Sequence, residues 1–291
     1  MNFEKIKLKY KEKDNSLYNT TKVRELLSIL YHENTKLDSF SLREQGEEIG
    51  RFRNPYVTER SIQPYKFYPG HKITDLNDFH HDIIEDDPFL SVINKRRSLR
   101  NYDPNYKVSL NELFHILYYS YGITFQSKIP NSDYHVGYRN VPSAGGLFPL
   151  EMYTTLFNSQ IEAGLYHYQD RNNYLEFIKE GNHVEQLKVI INAEPYVNIK
   201  NSSGVIFITG LIERNSIKYG ERGYRFMLQE VGSVGLLISY LCEYIGLGSC
   251  MIGSCIDDKV NEYLGIDGVF ETVHSIIIFG KKHCDDVVIN K

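Results

Sequence analysis

Apolar and polar positions follow three rhythms along this chain. Over the first thirteen residues the period is two. Lys5, Lys7, Lys9, Lys11 and Lys13 fall on one side and Ile6, Leu8 and Tyr10 on the other, the pattern of a strand with one wet face. The lysines suit a solvated edge that resists further pairing. Val23, Leu26, Leu27 and Leu30 then share a helical face and predict a helix over 22–31. A charged run follows, with Arg43, Glu44, Glu47, Glu48, Arg51 and Arg53, and after it Pro55, Pro64 and Pro69 argue for extended chain.

From Pro88 the pattern becomes denser. Helices are predicted over 89–95 and 109–120; in the second, Ser109 and Glu112 stand three apart as a capping box. Runs of β-branched and aromatic residues bounded by turn formers predict strands over 151–157, 164–168, 174–178, 205–210 and 272–280. Residues 170–173 form the turn between two of them, and 183–192 reads as a helix. The longest periodic segment is 221–244, where Met227, Val231, Val234, Ile238, Leu241 and Ile245 step by four and three before Gly246 and Gly248 stop the helix. Gly232 and Gly235 inside it each cost about 1 kcal/mol against alanine, which implies close approach of another helix or a flat ring. Strands and helices mix without strict alternation, so the class is α+β. The expected division is an N-terminal extension over 1–88, a possible peptide-binding region, and a main unit over 89–291.

Composition narrows the function. A net charge of −4 offers no electrostatic footprint for nucleic acid. The 23 tyrosines, with no tryptophan, accompany an abundance of Asn, Lys and Ile, which makes composition bias the first explanation and a ring- or peptide-binding surface the second. Cys242, Cys250, Cys255 and Cys284 include no CxxC pair and suit reduced thiols in the cytosol. Cys250, Cys255 and His283 lack the usual zinc spacing, and His80-His81-Asp82 reads as a solvated loop. No signal-peptide core or membrane-length apolar run is present, so a cytoplasmic location is expected.

Four segments carry candidate chemistry. In Arg96-Arg97-Ser98-Leu99-Arg100, two guanidiniums and a hydroxyl spaced by two on extended chain point the same way, which suits a phosphate and its adjoining polyol. Pro142-Ser143-Ala144-Gly145-Gly146 and Leu247-Gly248-Ser249-Cys250-Met251-Ile252-Gly253 are loops of small residues whose backbone N–H groups can approach a ligand closely. Neither fits GxGxxG between a strand and a helix, so a Rossmann dinucleotide site is unsupported. In Lys218-Tyr219-Gly220-Glu221-Arg222-Gly223-Tyr224-Arg225, a lysine adjoins a tyrosine just ahead of the long helix. The cation and the positive end of a helix dipole both favour a phenolate able to take a carbon-bound proton.

In this order, RRSLR at 96–100, PSAGGLFPLE at 142–151, GLYHY at 164–168 and KYGERGYR at 218–225 resemble the FMN-dependent nitroreductase superfamily. Within it the chain is similar to the SagB-type or McbC-type azoline dehydrogenases of thiazole/oxazole-modified microcin biosynthesis. Tyr31-His32-Glu33 followed by Lys36 resembles the N-terminal part of that subfamily. The resemblance implies a central, mainly antiparallel sheet flanked by helices, and a homodimer with two FMN sites at its interface. It implies that Arg96, Ser98 and Arg100 hold phosphate and ribityl, and that Pro142, Ser143, Ala144 and Gly146 reach the flavin from the other subunit. Met251, Ile252 and Gly253 would lie beside the isoalloxazine. Lys218 and Tyr219 match the catalytic pair that oxidises thiazoline or oxazoline rings in a ribosomally made precursor peptide, in company with a cyclodehydratase. Two positions depart from the pattern: Leu236 and Leu237 stand where the family carries Gln-Asn, and the C-terminal basic residues are missing unless Lys281 or Lys282 replaces them. A general NAD(P)H-dependent nitro- or quinone reductase, a peptide-binding scaffold subunit, and oxidation or reduction of another peptide residue remain open.

Overall fold

A computed structural model describes residues 26–61, 66, 68–76, 87–131, 133 and 135–283. The alternating lysine segment, the start of the predicted 22–31 helix, Pro64, His80-His81-Asp82 and Cys284 lie outside the described residues.

Helix α1 (Leu27–Thr35) covers the described part of the predicted 22–31 helix and extends past it, and is followed by α2 (Ser39–Arg51) and α3 (Pro55–Ser61). One expectation changes here, and one run without a predicted element gains one. The charged run is a helix, begun by an Asp38 capping box with Ser41, and Pro55 opens a helix at its first position, where the missing N–H costs nothing. Next comes α4 (Pro88–Lys95), capped by Asp87. Then comes α5 (Leu110–Tyr121), whose capping box is as expected: Glu112 N–H donates to Ser109 Oγ at 3.2 Å and Ser109 N–H to the Glu112 carboxylate at 2.8 Å.

A short hairpin, β1 (Phe125–Lys128) with β2 (His135–Tyr138), precedes the main sheet. The sheet is built from β3 (Leu150–Leu156), β4 (Gly164–Gln169), β5 (Tyr174–Glu180), β6 (Gly204–Leu211), β7 (Leu247–Ile252) and β8 (Glu271–Lys281), in the order β5-β4-β3-β6-β8-β7, with every pairing antiparallel. Between strands lie α6 (Val184–Ile191), α7 (Ile212–Tyr219), α8 (Arg222–Tyr244) and α9 (Asp257–Leu264). The segment 247–252 is therefore a strand and not the loop its small residues suggested.

Alternation explains the layering. Ile206, Ile208, Ile277 and Phe279 face one core with α5 and α8, whereas Val205, Phe207, Ile276 and Ile278 face a second core with α6 and α9. Strands buried on both faces read as continuous apolar runs, and β6 and β8 are such runs at the sheet centre. The molecule is three layers, with α8 packed along one side of the sheet. Among the described residues no helix is long and apolar enough to cross a membrane.

Candidate functional site

Lys218 and Tyr219 are the last two residues of α7. The chain turns at Gly220, whose φ of 54° and ψ of −138° suit glycine alone, and α8 begins at Arg222. The pair thus lies at a junction of two helix ends. The α7 carbonyl terminus opposes the favourable pull on an anion expected from α8. Lys218 Nζ stands 5.4 Å from the Tyr219 ring centroid, and the ring meets Phe226 edge-on at 5.1 Å.

Lys218 Nζ and Tyr219 Oη converge on the small-residue turn. Gly145 has φ of 63°; a Cβ built there would sit 2.8 Å from Lys218 Nζ and closer still to Tyr219 Oη. The turn folds on itself: Gly146 N–H donates to Ser143 O at 3.0 Å and Phe148 N–H to Ser143 Oγ at 2.9 Å. Pro142 is exposed and Ala144 half-buried. Below it the Arg139 guanidinium lies 4.2 Å from the Phe148 centroid and 4.5 Å from that of Tyr121, and it pairs with Asp170. Tyr121 Oη donates to Glu230 of α8 at 2.8 Å and accepts from Leu150 N–H at 3.1 Å. Arg139, Tyr121 and Glu230 were missed in the sequence. One signal was present, a carboxylate inside the apolar stripe of α8.

A further network supports the same corner. Glu151 pairs with Arg214 of α7 at 2.5 Å and with His167 Nε2 at 3.1 Å, while His167 Nδ1 meets Glu176 at 2.8 Å. Burial pulls the His167 imidazole down, but the two carboxylates outweigh it and raise its pKa. Burial likewise pushes Glu151 up, and its two cationic partners overcome that to hold it below the ordinary range. The motifs around 151 and 167 are thereby joined to the helix that carries Lys218.

The other candidates form a second cluster. Residues 98–100 run beside β7: Ser98 bridges Ser249 in parallel fashion, and Leu99 N–H donates to Ser249 O at 2.9 Å. Gly248 is small because the Leu99 side chain occupies the space a Cβ would need. Met251 packs on Gly235, where a Cβ would lie 2.7 Å from Met251 Cε; the close neighbour expected for that glycine is β7. Ile252 is half-buried and Gly253 is exposed with nothing within 4 Å of a built Cβ. Arg96 ends α4, and Arg100 Nη1 makes a 3.4 Å contact with Ser98 O; among the described residues no carboxylate pairs with either. Lys282 is held by Glu243 at 2.6 Å, and Lys281 lies 5.1 Å from the Tyr106 ring centroid.

Along α8 the Lys218–Tyr219 pair and Met251 are well separated. Lys218 and Tyr219 sit before Arg222 and Met251 sits beside Gly235, about 20 Å further along the α8 axis at 1.5 Å per residue, with Glu230, the partner of Tyr121, between them. Gly232 lies between them, exposed, with nothing within 4 Å of a built Cβ. Leu236 is exposed as well, and Leu237 packs on the core.

The nitroreductase family model matches residues 93–281, which spans both clusters. The chain belongs to that family. Nitroreductases are generally flavin-dependent oxidoreductases. The chain is 30% identical over 184 residues to MJ1384 of Methanocaldococcus jannaschii, a nitroreductase-type protein, covering 63% of this chain and 87% of the other. It is 29% identical over 144 residues to the trifolitoxin-processing protein TfxB of Rhizobium leguminosarum bv. trifolii, covering 47% and 38%. Among solved structures, a chain of the E. coli microcin synthetase McbBCD complex with truncated pro-MccB17 bound superposes with a TM-score of 0.61. That match covers 89% of this chain and 99% of the other at 19% identity, a likeness of fold.

The residues fit the cofactor such a family carries. Two guanidiniums without carboxylate partners suit a phosphate. The open faces at Gly146 and Gly253 leave backbone accessible to a flat ring, since the nearest atom to a Cβ at Gly146 is 3.9 Å away.

Proposed function

We propose that this nitroreductase is an FMN-dependent dehydrogenase that oxidises thiazoline or oxazoline rings in a ribosomally made precursor peptide to thiazole or oxazole. The observation that carries the proposal is the convergence of Tyr219 Oη and Lys218 Nζ on the Gly145 turn. Arg96, Ser98 and Arg100 would hold phosphate and ribityl. Pro142, Ser143, Ala144 and Gly146 would bound one side of the ring system, and Met251, Ile252 and Gly253 the other. Bound FMN supplies a two-electron acceptor for the hydride that leaves the azoline. Tyr219 takes the α-proton, which the neighbouring C=N bond acidifies, onto its phenolate oxygen. Lys218 stabilises that phenolate as the proton is approached.

Because the Lys218–Tyr219 pair and Met251 lie apart along α8, we assign the complete site to a homodimer, each site drawing residues from both copies. The processing protein named for trifolitoxin and the chain of a microcin synthetase complex, both similar to this one, support a peptide substrate and a partner complex, for which the family resemblance suggests a cyclodehydratase. Free buried thiols at Cys242, Cys250 and Cys255 support a cytoplasmic setting.

K218A and Y219F are expected to keep the yellow flavin spectrum and to lose azoline oxidation. The assay is mass spectrometry of an azoline peptide, with about 2 Da removed per ring as two hydrogens leave. Full oxidation by both variants would remove the assigned base. Rapid bleaching by NAD(P)H without peptide oxidation would favour a general reductase, and a colourless protein a scaffold.

A further inference from the structure

Helix α1 lacks a cap of its own. Its N-cap residue is Leu26, which offers no side-chain acceptor, although the first N–H groups of a helix need one. The acceptor comes from 194 residues away: Glu221 takes the Leu27 N–H at 2.6 Å on one carboxylate oxygen and the Ser28 N–H at 2.8 Å on the other. Glu221 lies two residues beyond Tyr219, on the turn that Gly220 creates.

Two more contacts fix the same helix. His32 is buried at 5% exposure, with Nδ1 3.1 Å from Tyr224 Oη on the first turn of α8 and Nε2 2.7 Å from Thr272 Oγ1 on β8. Beyond the far end, Lys36 Nζ donates to Gly268 O at 2.7 Å and to Asp258 at 2.9 Å, and Leu37 N–H donates to Asp257 at 2.9 Å. The helix is thus clamped along its length, and its first anchor is the catalytic turn itself.

We propose that α1 is a brace of the active site and that Glu221 is a positioning residue, which sets Tyr219 against the Gly145 turn through the backbone of residues 219–221. The proposal rests on the function proposed above. A bidentate cap fixes both the height and the rotation of the turn, because each carboxylate oxygen meets a separate N–H. The Tyr224–His32 bond, one helical turn further on, resists twisting of α8 about the same point. Without the cap, Gly220 is the natural pivot, and the phenol of Tyr219 drifts from its contact at Gly145. Misplacement on this scale costs turnover more than binding.

The test compares E221Q, which keeps one acceptor oxygen, and E221A, which keeps none, in the full-length protein. Azoline-peptide oxidation is expected to fall in the order wild type, E221Q, E221A, by roughly tenfold or more in kcat for E221A, with KM and flavin content unchanged. Hydrogen exchange of the flavin-free protein gives a readout independent of turnover. Amides of 216–224 should exchange faster in both variants, with 231–242 unchanged. If E221A fails to fold, E221Q carries the comparison. Wild-type kcat and wild-type exchange in E221Q and E221A would overturn the brace. That result leaves the function intact when Y219F is inactive in the same assay; if Y219F is active, the assigned base fails first.

Discussion

Glu230 is a buried carboxyl in the apolar stripe of α8, with 2% exposure. Its neighbours explain why a charged residue is kept there: through Tyr121 it holds Leu150 N–H, and so the strand that leaves the Gly145 turn. Burial raises its pKa against the opposing pull of Ser143, Tyr121 and Arg139. A carboxyl whose folded value is raised adds full stability below its unfolded value, near 4.5, and loses it as pH rises through the folded value. E230Q keeps an acceptor for Tyr121 without that loss. Urea midpoints should therefore coincide for wild type and E230Q near pH 4 and diverge in favour of E230Q toward about pH 8. E230A removes the acceptor and should cost about 1–3 kcal/mol at either pH. Equal pH slopes for wild type and E230Q would show that the carboxyl titrates as it does in the unfolded chain. At this same scale the residues around Gly145 were legible from their size, but Arg139 and Tyr121 were not. A stacked guanidinium and a buried phenol have no spacing that announces them.

At the scale of elements, β3, β4, β5 and α7 meet at His167. Its folded pKa is raised, so its contribution is complete below about 6.5 and is lost as pH climbs through the folded value. Glu151 is lowered, so its share is complete above about 4.5 and is lost as pH falls through the folded value. The network should be strongest between those limits. Thermal midpoints should separate wild type from H167Q at pH 6 and bring them together near pH 9; a gap independent of pH would mean the ring acts by packing alone. Elements with a strong period were readable beforehand: α5 from its capping box, α8 from its four-and-three stepping, β6 and β8 from their apolar runs. Those without one were not. β7 looked like a loop because Gly248 and Ser249 are small, and their smallness reflects Leu99 lying across the strand. Helix α7 is eight residues long with no side-chain cap, and it is held by the Arg214–Glu151 pair and the α8 contact, neither of which a local window contains.

For the whole molecule, the decisive quantity is the separation of Lys218–Tyr219 from Met251 along α8. If each site joins the Lys218–Gly145 corner of one protomer to the Arg96–Met251 strip of its partner, two-fold symmetry makes two equal sites from one interface. The exposed residues of α8 between the clusters, Leu228, Gly232 and Leu236, would then be covered in the pair. The sequence marked Gly232 as a place of close approach, yet among the described residues nothing lies within 4 Å of a Cβ built there, which leaves this face open to the second copy proposed above. G232R tests the point cleanly. Arginine has ample room on the isolated protomer and gains about 1 kcal/mol in helix propensity over glycine, so the folded protomer should be no less stable. In the pair, the same side chain would hold the two helices apart. Sedimentation should show a monomer, and the absorbance of the purified protein should show the flavin gone with it, since neither half-site alone encloses the ring. A G232R protein that remains dimeric and yellow would take this face of α8 out of the interface, and the two clusters would need another route to each other.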